Sequence, residues 1–560
     1  MKNRRSCCCF VVLFVAVLLT AVILLLLLWK PRCKGRNLYS QAAVAADSVE
    51  CSEIGRNILL DGGSAVDGAI AALLCTSLIN PQSMGIGGGA IFTIYDASEG
   101  RVTVINAREK APQMLEPDPF TGCQKPGPQW IAVPGELRGY EEAHQKFGKL
   151  PWKSLFEPSI KLAESGFPLP KYLKKFLEHQ ILKPQIINSS LCSLFYNITG
   201  SPLDIVKYPQ LAKTLKAIAK NGSDEFYSGK IGQDLIKDIQ EEADKNSVRA
   251  LTLEDLKLYK ASVVEPLNIS LGDYMMYTPP QPSRGAILSF ILNILKGFNF
   301  SAKSMEESQR SQTYHRIIEA LKFGNGQLSR MIGSKVQPRD ISKLLSDQFA
   351  ESTWQRIDDQ VHPLQYYNTE PRAREKYATS HISVIDRNGN AVSVTSSINY
   401  LFGSRIISKS TGIILNNQLA DFCSADRIFP DIKAVTGQQP PSSMSPSILI
   451  SRDKKSMMVV GGAGGSMIVS AIAQIIMNKL WFGLSMTDAI EKGRVHVNSS
   501  NSVNFENRSD VKEAMTAMKQ KGHNITEPSL VPSVIQGIFR DHGCIEAVSD
   551  TRKAGKSAGY

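Results

Sequence analysis

The segment Tyr377–Phe402, YATSHISVIDRNGNAVSVTSSINYLF, constrains this chain more than any other stretch. Two runs of alternating apolar and polar residues, HISVI and AVSVTSSI, flank an Asn388-Gly389 pair. Period-two alternation suits a strand with unlike faces, and Asn-Gly readily takes the positive φ of a tight hairpin turn. The segment is therefore predicted to be a β-hairpin. Thr379 stands just ahead of the first strand, and Ser396 and Ser397 end the second. Closing the hairpin brings hydroxyls from its two open ends together. By itself this pattern describes only a hairpin with solvent-facing Thr and Ser, so a functional reading needs the rest of the chain.

The N-terminus places that hairpin in a cell. Residues 7–29, CCCFVVLFVAVLLTAVILLLLLW, carry no charge and are long enough to cross a bilayer core of about 30 Å. Basic residues and Pro31 follow instead of a small-residue cleavage site, so an uncleaved signal-anchor is expected rather than a removed leader. The first 36 residues hold seven Lys and Arg and no acid, out of a net charge of +12. The remaining +5 is unremarkable for so long a chain and points to no nucleic-acid partner. Basic residues flank the span on both sides and do not fix its orientation. Asn-x-Ser/Thr triplets do better: they begin at Asn188, Asn197, Asn221, Asn268, Asn299, Asn498, Asn507 and Asn524. Their spread predicts a single-pass type II cell-membrane protein, with residues 1–6 cytoplasmic and the body extracellular. Cys7, Cys8 and Cys9 at the membrane edge are either S-palmitoylation candidates or plain apolar thiols of the span. Seven cysteines remain outside it, an odd number, so at least one lacks a partner within the chain. No CxxC or HExxH occurs, and no metal or other cofactor is expected.

In the body, residues 41–61 read as a helix ending at Gly62-Gly63. Ser64 and Asp67 form a capping-box signature for the next helix. Cys51 and Cys75 fall on these consecutive helices and make a candidate disulfide. Gly85-Ile-Gly-Gly-Gly89 with Ala90 matches a dinucleotide-binding pattern in letters only: a strand follows the glycines here, where that fingerprint needs a helix. Close backbone packing at a bend explains them better. VTVINARE is a predicted strand ending at Arg108, a surface or ion-paired residue or a two-pronged carboxylate ligand. Helices are expected near 136–147, 152–165, 205–221, 230–243, 252–258 and 306–324, and after the turn TPPQPSRG. MMVVGGAGGSM is a strand entering a glycine turn before a helix, a place where free N–H groups serve tight packing or a developing oxyanion. No repeat and no domain boundary is evident past residue 40.

AAVAAD, DGGSAVDGAIAALL, SMGIGGG, VINARE, VPGELRGY, TSHISV, TGIILNN, PSSM, GGAGG and AGY occur in one order from about residue 41 to Tyr560. In this the chain resembles the gamma-glutamyltransferase (glutathione hydrolase) family. The resemblance implies an N-terminal-nucleophile hydrolase of α/β (α+β) class, a four-layer αββα sandwich here preceded by a transmembrane helix. It implies self-cleavage between Ala378 and Thr379, giving a large subunit, 30–378, and a small subunit, 379–560, as a heterodimer. Thr379 would then carry nucleophile and base together: its hydroxyl, and a freed α-amine of pKa near 7.7–8. Ser397 would support it, and the Gly464 and Gly465 N–H groups would form the oxyanion hole. Arg108, Ser442 and Ser443 would hold a substrate α-carboxylate; Asn399, Gln418 and Asp421 would hold its α-amine. Glutathione and its conjugates, leukotriene C4 among them, are the implied donors; water, amino acids or dipeptides are the acceptors. The chain departs from the family's usual pattern in having Gln at 418 instead of Glu, Tyr377-Ala378 instead of Gly before the nucleophile, and Arg284 in a turn of small residues. The first two motivate a second expectation, an impaired or uncleaved membrane-anchored binding protein of the same fold.

Overall fold

The computed structural model describes residues 33, 35–113, 127–246, 248–328, 331, 337–369, 378–422, 436–527 and 531–560. Two antiparallel sheets lie face to face. One runs, edge to edge, Ala558–Gly559, Ala43–Ala45, Ala378–Ile385, Ala391–Asn399, Gly89–Asp96, Arg101–Ala107 and Ser262–Val264. The other runs Leu38–Tyr39, Cys544–Ser549, Val534–Asp541, Ser456–Ala463, Ser447–Ser451, Tyr274–Thr278 and Leu267–Leu271.

The alternation of the strands decides the layers. Ile382, Val384, Val392 and Val394 point outward onto the helices Val49–Leu60 and Ala65–Ile79. Ile385 and Ala391 face inward, against Met457, Val459 and Ile538 of the second sheet. Met458 and Val460 face the other way, onto the helices Gly285–Lys296, Glu307–Asn325 and Met467–Leu480. This is the expected helix–sheet–sheet–helix order. The hairpin is present as Ala378–Ile385 and Ala391–Asn399, at the centre of its sheet, and both strands are buried throughout. Its hydroxyls therefore face the interior.

One local expectation fails. Residues 41–61 are not one helix: Ala43–Ala45 is a strand, and the helix begins at Val49 behind an N-cap at Ser48. Alanine favours helix intrinsically. Here Ala43 and Val44 pair with Ile385 and Val384 on one side, and with Gly559 and Ala558 on the other. Tertiary pairing overrides a weak local preference. By contrast, the Ser64–Asp67 capping box forms as read.

Cys51 joins Cys75 across the first two helices, and Cys33 joins Cys544. Among the described residues Cys192 is free. Cys123 and Cys423 lie outside the described residues, as do the expected tail and membrane span, 1–6 and 7–29. Among the described residues no helix is long and apolar enough to cross a membrane.

Candidate active site

A β-bulge sets the centre of the site. Pairing steps from Ala378 opposite Asn399 to Ser380 opposite Ser396, so Thr379 faces two residues of the partner strand. A bulge twists a strand and re-aims its side chains. Here it brings Thr379 Oγ1 within 3.4 Å of Ser397 Oγ. The Ser397 hydroxyl donates to the carbonyl oxygen of Ala378 at 2.7 Å and accepts from the Asn399 N–H at 2.9 Å. Asn399 sits at φ 77°, a left-handed conformation that Asn tolerates better than most residues. Its side-chain amide donates to the Asn417 carbonyl at 3.1 Å, tying the hairpin to the loop that carries Gln418.

Beneath Thr379 lies a buried ion pair that the sequence did not advertise. Lys553 Nζ donates to the Thr379 carbonyl at 2.9 Å, to Asp47 at 2.5 Å and to Ser380 Oγ at 3.2 Å. Residues 47 and 553 lie far apart in sequence and no motif links them, so only the fold could reveal the pair.

The second half of the site forms where the strand Arg101–Ala107 ends. Arg108 is 1% exposed, held by the Pro440 and Pro441 carbonyls at 3.3 and 3.0 Å, beside Ser442 and Ser443. Its guanidinium pairs with Asp421 at 2.9 Å, and Gln418 Nε2 donates to the same carboxylate oxygen at 2.6 Å. Gln418 Oε1 is buried and has no hydrogen-bond partner among the described residues. Such an acceptor costs roughly 1–3 kcal/mol until a donor reaches it. Ser442 is fixed by its N–H on the Pro282 carbonyl at 2.9 Å, and its hydroxyl accepts from the Met444 N–H at 3.1 Å. Arg108, Gln418 and Asp421 thus converge, and the serine pair directly follows the prolines whose carbonyls hold Arg108.

Gly464 and Gly465 follow the strand Ser456–Ala463, which packs against the Thr379 strand, and precede the helix Met467–Leu480. Both have positive φ, 117° and 58°. The sheets touch closely nearby: a Cβ on Gly461 would lie 2.2 Å from the ring of His381. Burial pushes that imidazole's pKa down to about 3, so it serves as a neutral hydrogen-bonding group between Thr395 and Ser383.

Two buried carboxyls behind the site also escaped the sequence reading. Burial raises Glu109 to about 7 against the opposing pull of Arg108, and neither of its carboxylate oxygens has a hydrogen-bond partner among the described residues. Burial raises Glu136 to about 8, although Tyr140 and Ser396 both donate to it. The available signals were the acid following Arg108 in VINARE and the acid within VPGELRGY. The glycine run 85–89 does what close packing requires: a Cβ on Gly88 would meet the Ser397 carbonyl at 2.3 Å, and one on Gly87 the Ile414 carbonyl at 2.2 Å. Ala378 is extended strand, not positive-φ backbone, so a residue with a Cβ fits there without strain.

A sequence profile of the family described as Gamma-glutamyltranspeptidase matches residues 51–560. The chain is 45% identical over 538 residues to the glutathione hydrolase 5 proenzyme of Rattus norvegicus, covering 93% of each chain. It is 44% identical to the protein of the same name from Homo sapiens, covering 94% of each. Among solved structures, a cephalosporin acylase from Bacillus halodurans superposes with a TM-score of 0.80 at 26% identity, over 95% of this chain and 98% of that one. The gamma-glutamyltranspeptidase of Helicobacter pylori gives a TM-score of 0.52 at 26% identity, over 57% and 92%.

Proposed function

Since this chain belongs to the gamma-glutamyltranspeptidase family, we propose that it cuts itself before Thr379 and then uses that threonine to cleave γ-glutamyl bonds. It is an enzyme of the hydrolase and transferase kind. The observation that carries the residue-level reading is the hydrogen bond from the Ser397 hydroxyl to the Ala378 carbonyl, beside the Thr379 hydroxyl. In self-cleavage Thr379 Oγ1 adds to the Ala378 carbonyl carbon. The C–N bond breaks, the nitrogen takes a proton, and an ester remains. Ser397 donates to the oxygen on which negative charge develops. Water hydrolyses the ester, leaving an Ala378 carboxylate and a free Thr379 α-amine.

That amine then serves as base for its own hydroxyl. Thr379 Oγ1 attacks the γ-carbonyl of the substrate and the departing amine takes a proton. The Gly464 and Gly465 N–H groups take the role of oxyanion donors. Water, or the amine of an amino acid or dipeptide, releases the glutamyl group. Arg108, Ser442 and Ser443 receive the α-carboxylate, while Asp421, Asn399 and the free Gln418 Oε1 receive the α-ammonium. Glutathione is the donor that the relatives' names suggest; glutathione S-conjugates, leukotriene C4 included, are the larger donors proposed.

A type II membrane protein with a large subunit ending at Ala378 and a small one starting at Thr379 completes the reading. All eight sequon asparagines are exposed, which supports a glycosylated extracellular body. The test is a denaturing, reducing gel of deglycosylated protein, with release of cysteinylglycine from glutathione measured on the same sample. Two fragments and turnover are expected from the wild type; Thr379→Ala should give one chain and no turnover. A Thr379→Ala protein that still divides at Ala378 would sink the assignment.

A further inference from the structure

We propose that the Cys33–Cys544 disulfide keeps the two products of self-cleavage one covalent molecule and bonds the reactive chain to the membrane-proximal stem of the other. The inference rests on the cleavage reading above. Its two cysteines are 511 residues apart, one on each side of Ala378–Thr379. Cys51–Cys75 lies wholly within the larger product and links nothing. The Cα atoms of Cys33 and Cys544 are 5.6 Å apart, inside the range a disulfide spans.

Backbone pairing independent of the sulfurs holds them there. Leu38 and Tyr39 pair with Glu546 and Ile545, and the Ala547 N–H donates to the Asn37 carbonyl at 2.9 Å. Five residues before this pairing, Cys33 is carried to the start of the Cys544–Ser549 strand. In sequence, Cys33 also lies four residues beyond the apolar run 7–29. The chain carrying Thr379 has no such run of its own. Once the peptide bond at 378 is cut, this disulfide is, among the described residues, the covalent route from Thr379 to the stem.

Membranes are alkylated before denaturation, deglycosylated, and run with and without dithiothreitol. The wild type should give one full-length band without reductant and two with it. Cys33→Ser and Cys544→Ser should give two bands in both lanes, at an unchanged cut fraction. Both positions are only partly buried, so serine fits. In a urea wash of the membranes, the variants should shed the smaller chain and the wild type retain it. Two bands from wild type without reductant overturn the proposal. A single band in the reduced lane instead indicts the cleavage reading. The bond is then judged by mass spectrometry of the unreduced digest: a Cys33–Cys544 linked peptide upholds it, and alkylated Cys33 and Cys544 overturn it.

Discussion

At residue scale, Gln418 and Glu136 carry separate predictions. Gln418 lends its N–H to Asp421 and leaves its oxygen unsatisfied. A carboxylate there would repel Asp421 in the free enzyme, and a substrate ammonium would relieve that repulsion. Charge-assisted hydrogen bonds are also roughly twice as strong as neutral ones. Gln418→Glu should therefore lower KM for γ-glutamyl substrates, by about tenfold for a gain near 1.4 kcal/mol; an unchanged or higher KM in steady-state assays would remove Gln418 from the ammonium site. Glu136 is raised to about 8 by burial, so the folded protein keeps a proton that the unfolded chain releases above about 4.5. Its contribution is fully present below that lower value and is lost as pH rises through 8. Glu136→Gln should flatten the fall of Tm between pH 5 and 8 and stabilise the protein at pH 8 by roughly 1–3 kcal/mol. Thermal melts across that range decide it. Alternation placed Thr379, Ser397 and Arg108 near strand ends, but by itself it read as a hairpin with solvent-facing hydroxyls; their roles came only from the resemblance carried by the ordered motifs. Asp47 and Lys553 were not legible at all, because their partnership exists only once residues about five hundred apart meet in the fold.

At the scale of elements, the glycine run and the helix pair set the tolerances. Gly88 presses its backbone on the Ser397 carbonyl, so Gly88→Ala should push that strand out of register with Thr379. Overpacking of this kind costs about 1–3 kcal/mol or more. We expect loss of self-cleavage before loss of the fold, seen as an uncut band in protein that still melts cooperatively. Replacing Cys51 and Cys75 together by Ala reopens a loop of 24-residue separation. Chemical denaturation should show a loss of about 3 kcal/mol. Element type was read well where periodicity and caps agreed, as in the hairpin and the Ser64 helix. It failed at Ala43–Ala45, where one β-branched residue, Val44, set between alanines is too short a strand signal. The conformation there is imposed by neighbours on both sides.

At the scale of the molecule, the two prospective chains are interleaved rather than docked. Ala43–Ala45 lies between Ala558–Gly559 and Ala378–Ile385, while Leu38–Tyr39 pairs into the opposite sheet. Cleaved protein should therefore lose both chains' structure in a single urea transition, with tryptophan fluorescence and circular dichroism coinciding. Two separated transitions would show that the chains fold as independent units. The wedge at Ala43–Ala45 also dictates timing. During synthesis an early segment must wait, unpartnered on one edge, for nearly the whole polypeptide to emerge before Ala558–Gly559 can close over it. Sequence-distant pairing of this kind is slow. The nascent chain therefore keeps an open flank that invites chaperones, and the sheet that carries Thr379 is closed at that edge only when translation is all but complete.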